Sequence, residues 1–158
     1  MSTAGNAPRI TPFLWFENND AEEAVDFYLS VFPDSRKLDE LRHPSDAAGP
    51  KGAVLTISFE LNGQRFTALN GGPGHPFNDT VSFVVECANQ QEIDRYWSKL
   101  LKGGGSEIAC GWLKDRYGLR WQVWAPRILE LIRHPKAMEA MMQMTKFDLA
   151  ELERAAQS

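Results

Sequence analysis

Apolar residues recur along this chain with two periods, and one helical pattern occurs twice. Asp20 to Phe32, DAEEAVDFYLSVF, and Asn89 to Leu101, NQQEIDRYWSKLL, align at one constant offset. Ala24, Phe27, Tyr28, Val31 and Phe32 in the first copy match Ile93, Tyr96, Trp97, Leu100 and Leu101 in the second. Their spacing puts them on one face of a helix. Each copy opens with a side chain, Asp20 or Asn89, that can accept from an orphan helix N–H. Glu23 or Glu92 follows three residues later, as in a capping box. A shared cap, face and length imply a duplicated module.

The shorter period predicts strands around these helices. Ile10 to Phe16, ITPFLWF, reads as a strand, with Pro12 placing it at an edge or a bulge. The first helix stops near Pro33. Lys37 to Arg42 is a further strand, and Pro44 to Gly52 a polar loop. In Ala53 to Leu61, Leu55, Ile57, Phe59 and Leu61 alternate with Thr56, Ser58 and Glu60. Asn62-Gly63 signals a hairpin turn, with Gln64 to Asn70 as the return strand. A Gly/Pro-rich segment, Gly71 to Asn78, links the halves. The order then repeats: a strand Thr80 to Glu86, the second helix ending at Gly103 to Gly105, and strands Ser106 to Leu113 and Leu119 to Trp124 around a turn at Lys114 to Gly118. After Pro126, the sequence predicts a helix over Arg127 to Arg133, one from Pro135 to Met144, and a last one opened by Asp148 and Glu151. Met138, Met141, Met142 and Met144 suit flexible packing against the body or a dimer partner.

Each helix must bury its stripe on a sheet face. Ile10, Pro12, Leu14 and Phe16 share one face of the first strand, opposite Thr11, Phe13 and Trp15. Val81, Phe83 and Val85 oppose Thr80, Ser82 and Val84. Leu119, Trp121 and Val123 oppose Arg120, Gln122 and Trp124. The all-apolar faces belong under the helices. The other faces mix hydroxyls, an amide and rings, and leaving Trp15 and Trp124 in water would waste their apolar area. That mixture predicts an aromatic-walled, concave binding pocket.

Composition narrows the possibilities. The 158 residues, 43% hydrophobic and 24% charged, suit a single ordered domain. Within it, one module covers about residues 9–72, a linker 73–79, a second module about 80–126, and a helical tail 127–158. A net charge of −4 without a basic run gives no electrostatic reason to bind nucleic acid. No apolar run could span a bilayer, and MSTAGNAPRI lacks the n- and h-regions of a secretory signal. Cys87 and Cys110 match no zinc spacing and suit reduced thiols in a cytoplasm. The three histidines, His43, His75 and His134, fall in loops, linker and tail. Cys110 reads as a small buried residue, Glu60 as a solvated carboxylate, and Asp115 and Arg116 as turn residues.

A duplicated strand–helix–three-strand unit resembles the vicinal oxygen chelate superfamily, which includes glyoxalase I and the fosfomycin- and bleomycin-resistance proteins. The phrases ITPFLWF with AEEAVDFY, NGG…HPFNDTVSFVVE and CGWLKDRYGLRWQVWAP are similar to its PhnB-like branch, described as 3-demethylubiquinone-9 3-methyltransferase-like. The resemblance extends over roughly residues 9 to 156. It implies an α+β glyoxalase-like fold: two tandem βαβββ modules forming curved sheets of mixed and antiparallel strands, helices outside, a cavity between, and a homodimer. Metal-dependent members carry His or Glu at four inward positions, which land here on Thr11, Ala68, Thr80 and Gln122. None is a usual transition-metal ligand. The expectation is therefore no metal ion and no cofactor.

Three readings follow. The first is a small-molecule-binding protein whose ligand stacks on Phe13, Trp15 or Trp124 and bonds to Thr11, Asn70, Thr80, Ser82 or Gln122. The second is an enzyme, a methyltransferase as the family label says or a glyoxalase-like lyase or isomerase with an atypical site. The third makes the mixed face a homodimer contact. No glycine-rich turn opens a helix as a nucleotide-type cofactor site requires, and GxSxG, P-loop and HExxH motifs are absent.

Overall fold

The strand pairing repeats the doubling seen in the helices. The computed structural model describes residues 7–158. The chain divides between Pro76 and Phe77 into two compact units. The first runs β1 (Phe13–Phe16), α1 (Ala21–Val31), β2 (Ser35–Arg42), β3 (Val54–Leu61) and β4 (Gln64–Asn70), with sheet order β1-β4-β3-β2. The second runs β5 (Ser82–Glu86), α2 (Gln90–Leu101), β6 (Ser106–Glu107), β7 (Trp112–Lys114) and β8 (Arg120–Trp124), with order β5-β8-β7-β6. It ends in the tail helices α3 (Ile128–Leu131), α4 (Pro135–Met142) and α5 (Leu149–Ala156). In each sheet the opening strand pairs in parallel with the last, and the other pairs are antiparallel. Phe13 lies opposite Thr67, and Ser82 opposite Arg120, so the strand starts keep the offset of the helices. These are the α+β units the sequence predicts, and neither sheet closes into a barrel.

The apolar faces lie where alternation puts them. Leu14, Ala68 and Ile57 are register neighbours in the first sheet, beside Phe59 and Phe66, and all are buried against the α1 stripe of Ala24, Val25 and Tyr28. The Tyr28 and Phe59 rings stack at 6.4 Å, and Phe59 and Phe66 at 5.4 Å. In the second unit, Ile93, Tyr96, Trp97 and Leu100 of α2 are buried with Val85, Leu113, Trp121 and Val123. Each such side chain contributes about 1.5–3 kcal/mol by leaving water.

The two helices are capped differently. Asn89 Oδ1 accepts from Glu92 N–H at 3.0 Å, and Glu92 reaches back to Ala88 N–H at 2.9 Å. In the first copy, Asp20 makes no side-chain cap bond. Asn70, at the end of β4, replaces it: its Oδ1 accepts from Ala21 N–H at 2.9 Å while its Nδ2 donates to Val54 O at 3.0 Å. The expected result for Asn70→Ala is a loss of about 1–2 kcal/mol, as for other cap deletions. Urea unfolding checks it, and an unchanged midpoint would discard the cap.

Several boundaries differ from expectation. β1 starts at Phe13, and Ile10 is 90% exposed. β5 starts at Ser82, and α4 ends at Met142. The strand expected over Ser106 to Leu113 is broken, because Cys110 and Gly111 take the left-handed region at φ 59° and 79°. Their N–H groups leave the ladder and donate to Met144 O at 2.8 Å and Thr145 O at 2.7 Å. The tail thus completes hydrogen bonding that a neighbouring strand would otherwise supply. Gln90 adds a second tie, donating to Phe147 O and accepting from Leu149 N–H, both at 2.9 Å. Lys146 pairs with Asp94 at 2.8 Å, and this hydrogen bond, then that of Gln90, lowers the Asp94 pKa. Such a carboxylate favours the fold above its unfolded pKa and ceases to as pH falls through its folded one. Exposure keeps this contribution small.

Candidate functional site

Each sheet has a second face, turned away from its helix, and strand register fixes its residues. In the second unit one row runs Ser82, Arg120, Lys114 across β5, β8 and β7. The next runs Val84, Gln122, Trp112, and the last pairs Glu86 with Trp124. Gln122 Nε2 donates to Ser82 Oγ at 2.8 Å. That bond holds the amide in place and leaves Gln122 Oε1 as an acceptor and the Ser82 proton as a donor. The Trp124 indole Nε1 is buried and has no hydrogen-bond partner among the described residues. A buried donor without an acceptor costs about 1–3 kcal/mol, which a bound acceptor would recover. Arg120 is anchored by Asp79 Oδ1 at 2.7 Å, Phe77 O at 3.2 Å and Gly118 O at 2.6 Å.

In the first unit, Trp15, Leu69, Thr56 and Leu41 form one row, and Phe13, Thr67, Ser58 and Asp39 the next. Phe13 is 58% exposed. Trp15 is half-buried, but its surroundings are filled by its own unit. Its Nε1 donates to Gly72 O at 2.9 Å, and the His75 ring lies 4.2 Å away. A Cβ on Gly71 would sit 2.2 Å from the indole. His75 therefore packs on Trp15, with its own N–H held by Glu17 at 2.9 Å.

The predicted residues thus divide. Phe13 and Trp15 share the far face of the first sheet, with Thr11 half-buried just before β1. Ser82, Gln122 and Trp124 share that of the second. Asn70 lies on the helix side opposite Phe16, its amide committed to α1 and Val54. Thr80 sits in an exposed turn, where its N–H and hydroxyl both donate to Asn78 Oδ1. Ala68, expected on an inward face, is fully buried on the helix side instead. Register corrects it: Ala68 pairs with Ile57 and Leu14, and a one-residue shift exchanges faces. Trp112 and Lys114 escaped the reading of the sequence. The alternation of WLK carries them, but only once the strand is known to restart at Trp112.

Other groups have structural partners. Asp115 is buried in the turn before β8, as a cap. His43 is buried under the loop containing Gly49, whose Cβ would touch its ring at 2.7 Å. Glu60 lies 3.9 Å from Arg36. Both cysteines are free. Burial pushes the Cys87 thiol up to about 11, so it holds little thiolate at neutral pH. A cleft of about 250 Å³ between α1 and β2 is lined by Glu22, Asp26, Lys37, Glu40 and Arg42. Its two cations already bond Glu40, at 2.7 Å from Lys37 and 2.8 Å from Arg42. Among the described residues, no three of His, Cys, Asp and Glu are grouped to hold a metal ion. None of their helices is long and apolar enough to cross a membrane.

The family model described as 3-demethylubiquinone-9 3-methyltransferase matches residues 8–124, ending before the tail. The chain is similar to the PhnB protein from Bacillus cereus, at 34% identity and a TM-score of 0.64, over 75% of this chain and 100% of that one. Protein PA1353 from Pseudomonas aeruginosa shares the fold at 20% identity and a TM-score of 0.60, covering 75% of this chain and 98% of its own. The fosfomycin resistance protein FosX from Mesorhizobium loti shares it at 14% and 0.56, covering 80% and 97%. No curated protein matches.

Proposed function

Because this chain belongs to the 3-demethylubiquinone-9 3-methyltransferase family, the PhnB-like branch of the vicinal oxygen chelate superfamily, we propose that it binds a small, flat molecule on the far face of its second sheet, without a metal ion. The observation that carries this reading is the buried Trp124 N–H with no acceptor, beside the fixed Gln122–Ser82 pair. The pair offers one donor and one acceptor, and the Trp124 N–H adds a second donor that is itself enclosed, on a face that also carries the Trp112 ring. This is the composition of a ligand site: mostly apolar, with a few placed polar groups. The first unit, taken by itself, carries an exposed ring, Phe13, and a half-buried hydroxyl, Thr11.

The superfamily's metal chemistry finds no support in the donor set, since Thr11, Ala68, Thr80 and Gln122 are poor ligands for a divalent transition metal. Methyl transfer, the activity in the family's description, also lacks a supporting feature. Gly71 to Gly74 follow β4 and precede β5, and Gly103 to Gly105 follow the end of α2. Neither segment presents helix N-terminal amides to a cofactor.

Tryptophan fluorescence titration with a panel of flat aromatic compounds tests the proposal. The expected result is a saturable change, with affinity reduced about tenfold in Trp124→Phe, the equivalent of one lost hydrogen bond. No saturable response across the panel would overturn the binding reading. A stoichiometric Zn, Ni, Mn or Fe in protein purified without chelator would overturn the metal-free part.

A further inference from the structure

The charges on the far face of the second sheet are unevenly placed. Lys114 and Arg120 lie directly opposite each other on neighbouring strands, with Ser82 beyond Arg120 and Ser106 beyond Lys114 in the same row. Like charges so placed repel. Arg120 has Asp79 as a counter-ion, but that carboxylate is 71% exposed and serves only one of the two cations. Lys114 is half-buried and has no ion-pair partner among the described residues. The face's other acid, Glu86, is four residues along β5 from Ser82, about 13 Å away at the usual strand rise. This end of the face therefore carries one uncompensated positive charge, at Lys114, with a hydroxyl on each side of the cation pair: Ser106 beside Lys114 and Ser82 beside Arg120. The Gln122–Trp112 row lies two residues further on, about 7 Å away, a distance suited to a two-ring aromatic body.

We infer that the ligand of this face is a planar aromatic acid, its carboxylate over the Ser82–Arg120–Lys114 row, between Lys114 and Ser82, and its rings over Gln122 and Trp112, towards Trp124. The inference rests on the binding reading above and adds the charge of the ligand. A half-buried ammonium and a hydroxyl both donate to a carboxylate, and charge-assisted bonds of this kind are roughly twice as strong as neutral ones. A neutral amide of the same shape keeps the ring contacts and loses the ion pair.

Calorimetric titration of the full chain with 2-naphthoate, 2-naphthamide and 2-naphthylmethylammonium tests this. The expected order is naphthoate at least about tenfold tighter than the amide, with the ammonium weakest, as one charge-assisted bond implies. Lys114→Gln should bring naphthoate to the level of the amide, and Lys114→Arg should keep the preference. Equal affinity for naphthoate and amide, with both weakened in Trp124→Phe, would overturn the charge assignment and leave the binding face standing. A naphthoate preference that survives Lys114→Gln would also overturn it. Failure of all three probes to bind would remove both readings.

Discussion

Asp115→Ala is expected to cost the second unit about 4 kcal/mol, from three donors that lose a buried acceptor. The Asp115 carboxylate is 1% exposed. Its Oδ1 accepts from Tyr117 N–H at 2.9 Å and Leu119 N–H at 3.1 Å, closing the turn that launches β8. Its Oδ2 accepts from Trp121 Nε1–H at 2.9 Å, fixing the largest ring of that strand's core face. Alanine would strand all three donors and open a space beside Trp121. Asp115→Asn separates the effects: its amide oxygen can still serve the turn, but its NH₂ then faces the indole N–H. The expected loss is about half that of alanine, from the one donor left facing a donor. Urea unfolding followed at the Trp121 environment measures both. An alanine variant within about 1 kcal/mol of the parent would show that water replaces the carboxylate at little cost.

Gly111→Ala is expected to lose about 3 kcal/mol and to release the tail, because strain and overlap act at one atom. Gly111 has φ 79°, where an added Cβ is penalised. That Cβ would also lie 2.3 Å from the ring of Phe147, a buried residue of the tail. Phe147 is held on either side, by Gln90 at its carbonyl and by Lys146 on Asp94. The ring cannot yield without loosening those ties. Limited proteolysis and hydrogen exchange should report the change as faster cleavage and faster exchange over α4 and α5. Phe147→Leu in the same background should recover part of the loss by removing the overlap. Protection of α5 equal to the parent's would show that the tail does not depend on this contact.

Both residues show where reading the sequence stopped. Gly111 could be recognised as part of a distinctive phrase, CGWLKDRYG, but its neighbour Phe147 is far along the chain. Nothing in the local pattern says that the amides of Cys110 and Gly111 donate to Met144 and Thr145. Alternation therefore predicts one strand where the backbone breaks at Cys110 and Gly111. Asp115 was placed in a turn, and its bonds to Tyr117 and Leu119 are the local ones such a residue makes. The bond from Trp121 arrives from the following strand. Asp20 followed a capping rule that its twin Asn89 obeys. Asn70 displaced it because β4 ends beside the start of α1.

The candidate site divides in the same way. Alternation alone put Ser82, Gln122 and Trp124 on one face, and their register confirms that they share it. It also put Phe13 opposite Leu14. It could not show that Gly72 and His75 would take up Trp15, nor that Asn70 faces the helix.

What the chain's own order determined is periodic: two amphipathic helices at one offset, strands whose alternate residues face apart, and a turn at Asn62-Gly63, where φ is 47° and 86°. These follow from backbone geometry repeated residue by residue, so neighbours in sequence suffice to specify them. Tertiary structure decided the polar pairings between elements. A buried donor takes the nearest acceptor in space, and for the Ala21 and Cys110 N–H groups and the Trp121 indole N–H that acceptor comes from another element. The unmet donor at Trp124, on which the functional reading stands, became visible only once those partners were in place.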